Sequence, residues 1–217
     1  MRVMTGTNVP VLYTTPVSAN GRKTIAVARH LSLDVEIASV DVYRGEGQTP
    51  AYRSLNPWGK VPTLVDGNTV LWESNAILVY FSEVLGDYAL SSRDPKRRAD
   101  MLRWMFWEAS HWQPVLTRVL APRVAQILFS KPEPAIPSNW NDPELATLLQ
   151  VLGAKVDTGF VCGPEICLAD FALAGMTTYF RAAGFPEDEH PSVARWMARI
   201  NQVPAWSSSA VDPWRAC

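Results

Sequence analysis

The side chains best suited to chemistry in this sequence are two serines at predicted helix starts. Ser18, within Ser18-Ala19-Asn20-Gly21, and Ser74 each precede a run of apolar residues at helical spacing. A serine in that position can cap its own helix. The first amides of a helix also favour a negatively charged group, because they are unpaired and stand at the positive end of the helix dipole. The sequence leaves both roles open for each serine.

The thiols and imidazoles form no recognisable catalytic or metal-binding arrangement. Cys162-Gly-Pro-Glu165 is similar to the redox motif Cys-Gly-Pro-Cys, but its second cysteine is missing and it lies in a predicted helical region. Cys162 and Cys167 lack a histidine at metal-ligand spacing, so we expect structural cysteines and no metal. No triad is indicated by the scattered histidines, His30, His111 and His190.

The composition describes a folded chain without an obvious macromolecular partner. Of the 217 residues 47% are hydrophobic, and the net charge is -1, so neither a nucleic acid nor a membrane surface is an expected partner. The longest apolar stretch of the central region, Ala76–Phe81, is far shorter than the ~18 residues of a membrane helix. Three cysteines and no signal peptide in Met1–Pro10 indicate a soluble, cytoplasmic protein.

The first part of the chain alternates predicted strands and helices. A first helix follows Ser18 to about Leu31, and a second one is predicted to be capped by Ser74. A hairpin turn is expected at Asp66-Gly67-Asn68. The predicted strands are Val9–Tyr13, Val35–Val42, Pro62–Val65 and Thr69–Trp72.

The second part is predicted to be entirely helical. The polar segment Gly86–Pro95 marks the boundary, and the proline-rich stretch Lys131–Pro137 cannot lie inside a helix. The predicted domains are residues 8–86, with the order β-α-β followed by β-β-α, and residues 94–217.

This order and two motifs resemble the glutathione transferase family. The first motif is Asn56–Gly67, Asn-Pro-Trp-Gly-Lys-Val-Pro-Thr-Leu-Val-Asp-Gly, followed by Leu71–Ile77, Leu-Trp-Glu-Ser-Asn-Ala-Ile. The second is Phe160–Gly163, followed by Leu168–Leu173. The resemblance implies an α/β thioredoxin-like N-terminal domain, then an all-α helical C-terminal domain that lines the pocket for an electrophile. It also implies that most aromatic residues of the Trp104–Trp112 run fill the core, while one or two reach that pocket.

The resemblance implies a site for glutathione in the first domain. An extended peptide such as glutathione can pair with exposed backbone at a sheet edge. Pro62 is expected to follow a cis bond that turns the backbone of Val61 toward the ligand. Glu73 would pair with the ligand's ammonium group, and Ser74 would bind its γ-glutamyl carboxylate. Polar contacts to the glycyl carboxylate, or alternatively plain surface positions, are expected for Gln48 and Lys60.

An enzyme of this family must also stabilise the glutathione thiolate. A free thiol has a pKa of about 8.5, so little of it is ionised at neutral pH. Ser18 resembles the serine of the phi class, and the Ser-x-Asn spacing is similar to the Thr-x-Asn of the nu class. We therefore expect Ser18 to donate a hydrogen bond to the sulfur and Asn20 to act as a second donor. Tyr13 is an alternative donor to the sulfur, but side chains alternate along a strand and this alternation is expected to turn Tyr13 into a packed face. Thr14 and Thr15 are weaker alternatives.

The expected activity is that of a bacterial-type, serine-dependent glutathione transferase, similar to the phi, theta and nu classes. Glutathione is the co-substrate, a small hydrophobic electrophile or a peroxide is its partner, and the chain is expected to form a homodimer in a detoxification role. The alternatives are a nu-class-like disulfide-bond reductase and a non-catalytic binding protein of this family. One departure is Cys167, where the family has the serine or threonine that caps a helix.

Overall fold

The computed structural model describes residues 9–129 and 135–211. Cys217, most of the Lys131–Pro137 connection, and the predicted domain ends at residues 8 and 217 lie outside the described residues. The strands are β1 Val11–Thr14, β2 Glu36–Ser39, β3 Thr63–Asp66 and β4 Thr69–Trp72. The helices are α1 Ala19–His30, α2 Pro50–Leu55, α3 Ser74–Tyr80, α4 Pro95–Trp107, α5 Gln113–Leu128, α6 Pro143–Val156, α7 Leu168–Thr177, α8 Pro191–Asn201 and α9 Pro204–Ser208.

The four strands form one mixed sheet in the order β2-β1-β3-β4. β1 pairs in parallel with β2 and antiparallel with β3, and the predicted hairpin joins β3 to β4. Leu12 lies opposite Leu64, and both are fully buried on the face that α1 and α3 cover. Tyr13 and Thr63 occupy the other face, because side chains alternate along a strand.

The β2 strand is shorter than the predicted Val35–Val42 segment because the chain turns after Ser39. The side chain of Asp41 accepts hydrogen bonds from the backbone N–H groups of Tyr43 and Arg44, and each bond is 3.1 Å long. These bonds stabilise a single 3₁₀ turn over Val42–Arg44. The turn, and not a continued strand, brings Tyr43 toward the start of α1.

Helix α2 was not predicted, because Pro50 reads as a chain breaker. Pro50 is the first residue of this helix, where its missing N–H costs nothing. The hydroxyl of Thr49 caps the helix by accepting from the N–H of Tyr52.

Helix α3 starts at Ser74, but the prediction that Ser74 caps it is wrong. The capping position belongs to Glu73, which has φ 74° and makes no side-chain capping bond. A non-glycine residue in this left-handed region is strained by about 1–3 kcal/mol. Because Ser74 is the first helical residue, its hydroxyl is not engaged with its own helix end.

The described residues after α3 contain helices and one isolated bridge between Phe160 and Gly163, so the predicted α/β part followed by an all-helical part is confirmed. α1 packs on α7 and α9, and the core continues from the sheet into the helical part. α4 and α5 join through a wide π-helical turn at Glu108–Trp112. Within the described residues, no helix is both long and apolar enough to span a bilayer.

Candidate active site

The start of α1 holds the two residues predicted to activate a thiol. Ser18 is the capping residue of the helix, and its Oγ accepts from the N–H of Gly21 over a long 3.4 Å. A side chain at Gly21 would collide with the carbonyl oxygen of Thr15, so a glycine lets this helix end press against the end of β1. Because its capping bond is long, Ser18 caps α1 only weakly. Ser18 also lines a cavity.

That cavity, of about 260 Å³, lies between the start of α1 and the helical part. Its polar end is formed by Ser18, Asn20, Tyr43 and Tyr179. None of its lining residues carries a charge, so it suits an uncharged apolar molecule. The other lining residues are Ala19, Gln113, Thr117, Leu120, Ala121, Val124, Ala125, Leu128, Phe129 and Met176.

The Trp-rich run does not contribute to this cavity, in contrast to the expectation that one or two of its rings would. Trp104 and Trp112 are buried in the core, and the indole N–H of Trp112 donates to the carbonyl of Leu173 over 3.0 Å. Phe106 points outward and is 69% exposed. The apolar wall comes instead from the following helix, α5.

A second, polar groove adjoins the cavity and shares Asn20 with it. The groove brings together six of the predicted site residues, and the Val61–Pro62 bond is cis as expected. The Lys60 Nζ stands 5.2 Å from the ring centre of Trp58 at the groove's rim. The lining residues are Asn20, Asn56, Trp58, Lys60, Val61, Pro62, Trp72, Glu73 and Ser74.

Gln48 does not line this groove. Its side-chain oxygen accepts from Arg53 over 2.8 Å, and its amide nitrogen donates to the carbonyl of Gly59 over 3.5 Å. These contacts hold the loop that carries Trp58 and Lys60. The structure therefore gives Gln48 a role in shaping the loop, and not a place in the groove.

The rival hydroxyls are also away from both spaces. Tyr13 packs edge-on against Tyr52 with ring centres 6.3 Å apart, on the sheet face opposite α1. Thr14 and Thr15 are buried, and neither lines the cavity or the groove.

Two tyrosines beside Ser18 were missed by sequence reasoning. Tyr179, which follows α7, accepts a hydrogen bond at its hydroxyl from the N–H of Ala19 over 2.8 Å and donates to the carbonyl of Val17 over 3.3 Å. Burial raises the pKa of Tyr179, so it stays a neutral phenol. No local sequence pattern predicts that Tyr43 or Tyr179 lies near Ser18, because only the tertiary fold brings these residues to the same cavity.

A buried ionic network lies behind the groove. The ammonium group of Lys23 in α1 contacts Glu108 over 3.3 Å and the side-chain oxygen of Asn75 over 2.9 Å. The amide of Asn75 in turn donates to Glu108 over 2.8 Å and to the carbonyl of Met105 over 3.0 Å. Burial lowers the pKa of Lys23, and the carboxylate of Glu108 opposes that shift. The network ties the starts of α1 and α3 to the helical part.

Arg22 of α1 is buried where this helix packs against the end of the described chain. Among the described residues it has no carboxylate partner. It stacks on Trp206 at 3.9 Å, and its guanidinium donates to Thr178, Ser209 and the carbonyl of Trp206. Burial lowers its pKa to about 10, although the nearby Tyr179 opposes the shift. At neutral pH it remains a cation behind the start of α1.

The two described cysteines belong to the scaffold. The carboxylate of Asp170 accepts from the backbone N–H of Cys167 over 3.0 Å, and from its thiol over 3.3 Å. It also accepts from the N–H of Val161 and the indole of Trp196. Hydrogen bonding to Cys162 and burial raise the pKa of the Cys167 thiol, so it is unreactive. In the described part of the chain, no group of three or more His, Cys, Asp or Glu could hold a metal ion.

Comparisons with known proteins match this architecture. Residues 17–84 match the family model "Glutathione S-transferase, N-terminal domain", and residues 143–199 match "Glutathione S-transferase, C-terminal domain". A glutathione S-transferase of Hyoscyamus muticus is 29% identical over 192 residues, which cover 86% of this chain and 91% of that protein.

Two solved structures extend the likeness to the whole fold. A theta class glutathione S-transferase of the citrus canker pathogen Xanthomonas axonopodis pv. citri, with glutathione bound, is 27% identical with a TM-score of 0.77, covering 95% of this chain and 99% of that one. A Bombyx mori glutathione transferase has a TM-score of 0.82 and covers 97% of this chain and 95% of that one. Its 24% identity makes it a likeness of fold alone.

Proposed function

Because the chain belongs to the glutathione transferase family and is an enzyme of that family, we propose that it joins glutathione to small, uncharged, hydrophobic electrophiles at the start of α1. The glutathione thiol loses its proton, and the thiolate attacks an electrophilic carbon. The new sulfur–carbon bond uses the sulfur lone pair, and the leaving group departs with its bonding electrons. With a hydroperoxide, the same thiolate would attack the terminal oxygen, and the O–O bond would break with release of an alcohol. A second glutathione would then convert the resulting sulfenic acid to glutathione disulfide and water.

The observation that carries the proposal is that the polar groove and the apolar cavity share Asn20. A ligand extended along the groove would end beside Ser18 and Asn20, where the cavity opens. The positive end of the α1 dipole favours a thiolate there. The hydroxyl of Ser18 and the amide of Asn20 add hydrogen-bond donors to the sulfur.

In the proposed complex, the groove residues divide the polar groups of glutathione between them. The carboxylate of Glu73 binds the ammonium group, and Ser74 at the start of α3 binds the γ-glutamyl carboxylate. The backbone of Val61, before Pro62, pairs with the ligand's main chain. Lys60 faces the glycyl carboxylate. We assign no direct contact to Gln48, since its side chain is engaged with Arg53 and Gly59.

A second copy of the chain is the proposed partner, in a homodimer acting in the cytoplasm in detoxification. Val84 and Phe106, which line neither the groove nor the cavity, are 61% and 69% exposed, and such exposed apolar side chains support a covered surface. The expected mass at micromolar concentration, measured by light scattering, is twice 24.1 kDa. A monomer mass would contradict the dimer without touching the proposed reaction.

The test of the reaction is Ser18→Ala, with Tyr13→Phe as the matched control. One charge-assisted hydrogen bond is worth about 1.5–3 kcal/mol, so we expect the pKa of bound glutathione to rise by about one to two units in Ser18→Ala. Conjugation of chlorodinitrobenzene near neutral pH should fall roughly ten- to hundredfold. The thiolate's ultraviolet absorbance, titrated in the complex, measures the pKa directly.

A bound-thiol pKa that moves in Tyr13→Phe and not in Ser18→Ala would contradict the assignment of Ser18. Parallel assays with a hydroperoxide and with hydroxyethyl disulfide test for peroxidase and disulfide reductase activity. Absence of all three activities, with glutathione still bound, would favour a binding protein.

A further inference from the structure

The wall that α5 gives to the cavity changes from polar to apolar along the helix. Gln113, the first residue of α5, and Thr117, one turn later, both line the cavity. The lining continues on the same helix face, at spacings of three and four residues, with Leu120, Val124 and Leu128. At 1.5 Å per residue, this apolar stretch extends for about 12 Å. A molecule lying along the wall therefore meets polar groups at one end and apolar side chains toward the other.

The polar end of this wall lies beside the start of α1. The turn Glu108–Trp112 directly precedes Gln113, and the N–H of Gln113 bonds to the carbonyl of Glu108. The side chain of Glu108 contacts the ammonium group of Lys23 in α1 over 3.3 Å, and both side chains are buried. This ion pair fixes the start of α5 next to the helix start that carries Ser18. The polar wall of α5 and the proposed thiolate therefore share one end of the cavity.

The two polar side chains on this wall have hydrogen-bond donors to spare. Neither the amide of Gln113 nor the hydroxyl of Thr117 bonds to any other described residue. In contrast, Ser18, Asn20 and Tyr179 each take part in a hydrogen bond within the protein. A glutamine amide has two N–H donors, and a threonine hydroxyl has one O–H. The α5 wall can therefore offer three donors to an acceptor atom of a bound molecule.

We propose that the cavity takes α,β-unsaturated aldehydes with an alkyl tail, whose carbonyl oxygen is bound by Gln113 and Thr117 while the tail lies along Leu120–Leu128. This inference rests on the proposed function and names the electrophile class for it. Such an aldehyde is uncharged, as the cavity lining requires, and it carries one acceptor oxygen close to its reactive carbon. An alkyl halide has no comparable acceptor, so it would gain nothing from either donor.

The reaction needs neither a leaving group nor an oxidant. The glutathione thiolate attacks the β-carbon, and the sulfur lone pair forms the new sulfur–carbon bond. The electron pair of the C=C bond moves toward the carbonyl group, whose oxygen becomes an enolate. A proton from water then adds to the α-carbon and restores the C=O bond, which replaces the proton that the thiol released. The product is a saturated aldehyde joined to glutathione through a thioether.

The donors on α5 act more strongly on the enolate than on the aldehyde. Negative charge develops on the oxygen as the sulfur–carbon bond forms, and hydrogen bonds to a charged acceptor are about twice as strong as those to a neutral one. An interaction that strengthens toward the transition state raises the rate of the chemical step. Gln113 and Thr117 are therefore assigned to the stabilisation of the enolate oxygen, while Ser18 and Asn20 serve the sulfur.

The experiment compares trans-2-nonenal with an alkyl iodide of similar length, each with glutathione, in the native enzyme, Gln113→Leu and Thr117→Val. The readout is the ratio of kcat/KM for the enal to kcat/KM for the iodide. Because a bond to a charged acceptor is lost, we expect this ratio to fall about ten- to hundredfold in Gln113→Leu. A smaller fall of about three- to tenfold is expected in Thr117→Val, whose exposed hydroxyl competes with water.

The matched control is Gln150→Leu, the same change at an exposed position of α6, and it should leave the ratio at its native value. Melting temperatures verify that each variant is folded. The pKa of the bound glutathione thiol is measured in parallel by thiolate absorbance. It should keep its native value in Gln113→Leu, because the amide is assigned to the electrophile. A raised pKa there would show that Gln113 acts on the sulfur and would overturn the assignment.

A chain-length series tests the position of the tail. From trans-2-pentenal to trans-2-nonenal, kcat/KM in the native enzyme should rise by up to about fourfold for each CH₂ that the α5 wall buries. The uncatalysed rates of the same aldehydes are the reference. An enzymatic rate that rises no more than the uncatalysed one would overturn the placement of the tail along Leu120–Leu128.

The outcomes separate this inference from the proposed function. An equal loss with both electrophiles in Gln113→Leu overturns the inference alone, and so does an unchanged ratio. The same holds for a native enzyme that conjugates the iodide but leaves the enal at its uncatalysed rate. A native protein that binds glutathione and conjugates neither electrophile overturns the proposed function and the inference with it.

Discussion

The hydroxyl of Ser74 donates a hydrogen bond to the side-chain oxygen of Asn20 over 3.2 Å. The bond joins the first turns of α3 and α1, which the sequence separates by 54 positions. Because the oxygen of the Asn20 amide accepts this bond, its N–H groups are left to serve an acceptor in the groove or the cavity, both of which Asn20 lines. The residue that faces the proposed γ-glutamyl site therefore orients the residue that faces the proposed sulfur site.

Asn20→Asp tests this orientation with an almost isosteric change. The Ser74 hydroxyl can still donate to the new carboxylate, but a negative charge then stands beside the proposed thiolate. We expect the pKa of bound glutathione to rise by about one unit or more, because like charges disfavour ionisation. Titration of the thiolate absorbance measures the shift. Asn68→Asp, in the exposed hairpin turn, is the matched control and should leave the pKa unchanged.

Glu73→Gln should weaken glutathione binding. The amide keeps the size of the side chain and its strained backbone, and loses only the charge that would pair with the ligand's ammonium group. A charge-assisted bond is worth about 1.5–3 kcal/mol, so the dissociation constant from calorimetry should rise roughly tenfold or more. Glu187→Gln, at an exposed site elsewhere, is the control. Equal affinity in Glu73→Gln and the native protein would remove Glu73 from the site.

The effects of replacing Lys23 and Glu108 on the free energy of unfolding should be strongly coupled. Lys23→Met leaves the Glu108 carboxylate buried without its cation, which we expect to cost about 3–5 kcal/mol in the free energy of unfolding. The double change Lys23→Met with Glu108→Leu should recover much of that loss, because neither charge is then buried alone. Urea unfolding of the single and double variants measures this coupling. Losses that simply add would contradict a paired network.

The ion pair between Glu83 and Arg98 should make stability depend on acid pH. Arg98 donates to both oxygens of Glu83 over 2.7 and 3.0 Å, and these bonds hold the carboxyl's pKa below its usual 4.5. The unfolded chain then binds more protons, so the stabilisation is complete above pH 4.5 and is lost as the pH falls through the lower folded pKa.

Glu83→Gln measures that contribution. Because the Arg98 side chain is 38% exposed, we expect a loss of only about 1 kcal/mol at neutral pH. The difference from the native protein in urea unfolding should shrink toward zero in acid. A constant difference across this range would show that the ion pair is not its source.

Cys167→Ser should stabilise the protein. Cys167 precedes α7 at the capping position and forms a capping box with Asp170, but its thiol is a weaker acceptor for the helix N–H groups than a hydroxyl, and it also donates to the Asp170 carboxylate. A serine hydroxyl can do both, and we expect a gain of about 0.5–1 kcal/mol. For a chain of this size the melting temperature should rise by about 1–4 °C. Cys162→Ser, in the neighbouring loop, should bring no such gain, and a lower melting temperature in Cys167→Ser would contradict the capping argument.

The local features of the first part could be predicted because they depend on neighbouring residues. β4 occupies the predicted Thr69–Trp72, since the Asp66-Gly67-Asn68 turn fixes the hairpin. The errors have local explanations as well. Pro50 starts a helix where it was expected to break the chain, and Asp41 ends β2 early by capping a turn.

By itself, the sequence determined the order of the four strands with helices α1 and α3, and the family motif that carries Pro62, Glu73 and Ser74. Turn and capping preferences act over a few neighbouring residues, so they can be predicted from the sequence. Only the tertiary structure decided which polar groups share a site. It brought Tyr43 and Tyr179 to Ser18 and engaged Gln48 elsewhere. Such contacts follow from how α1 packs on the sheet and on α7, and no short-range pattern encodes the packing of distant segments.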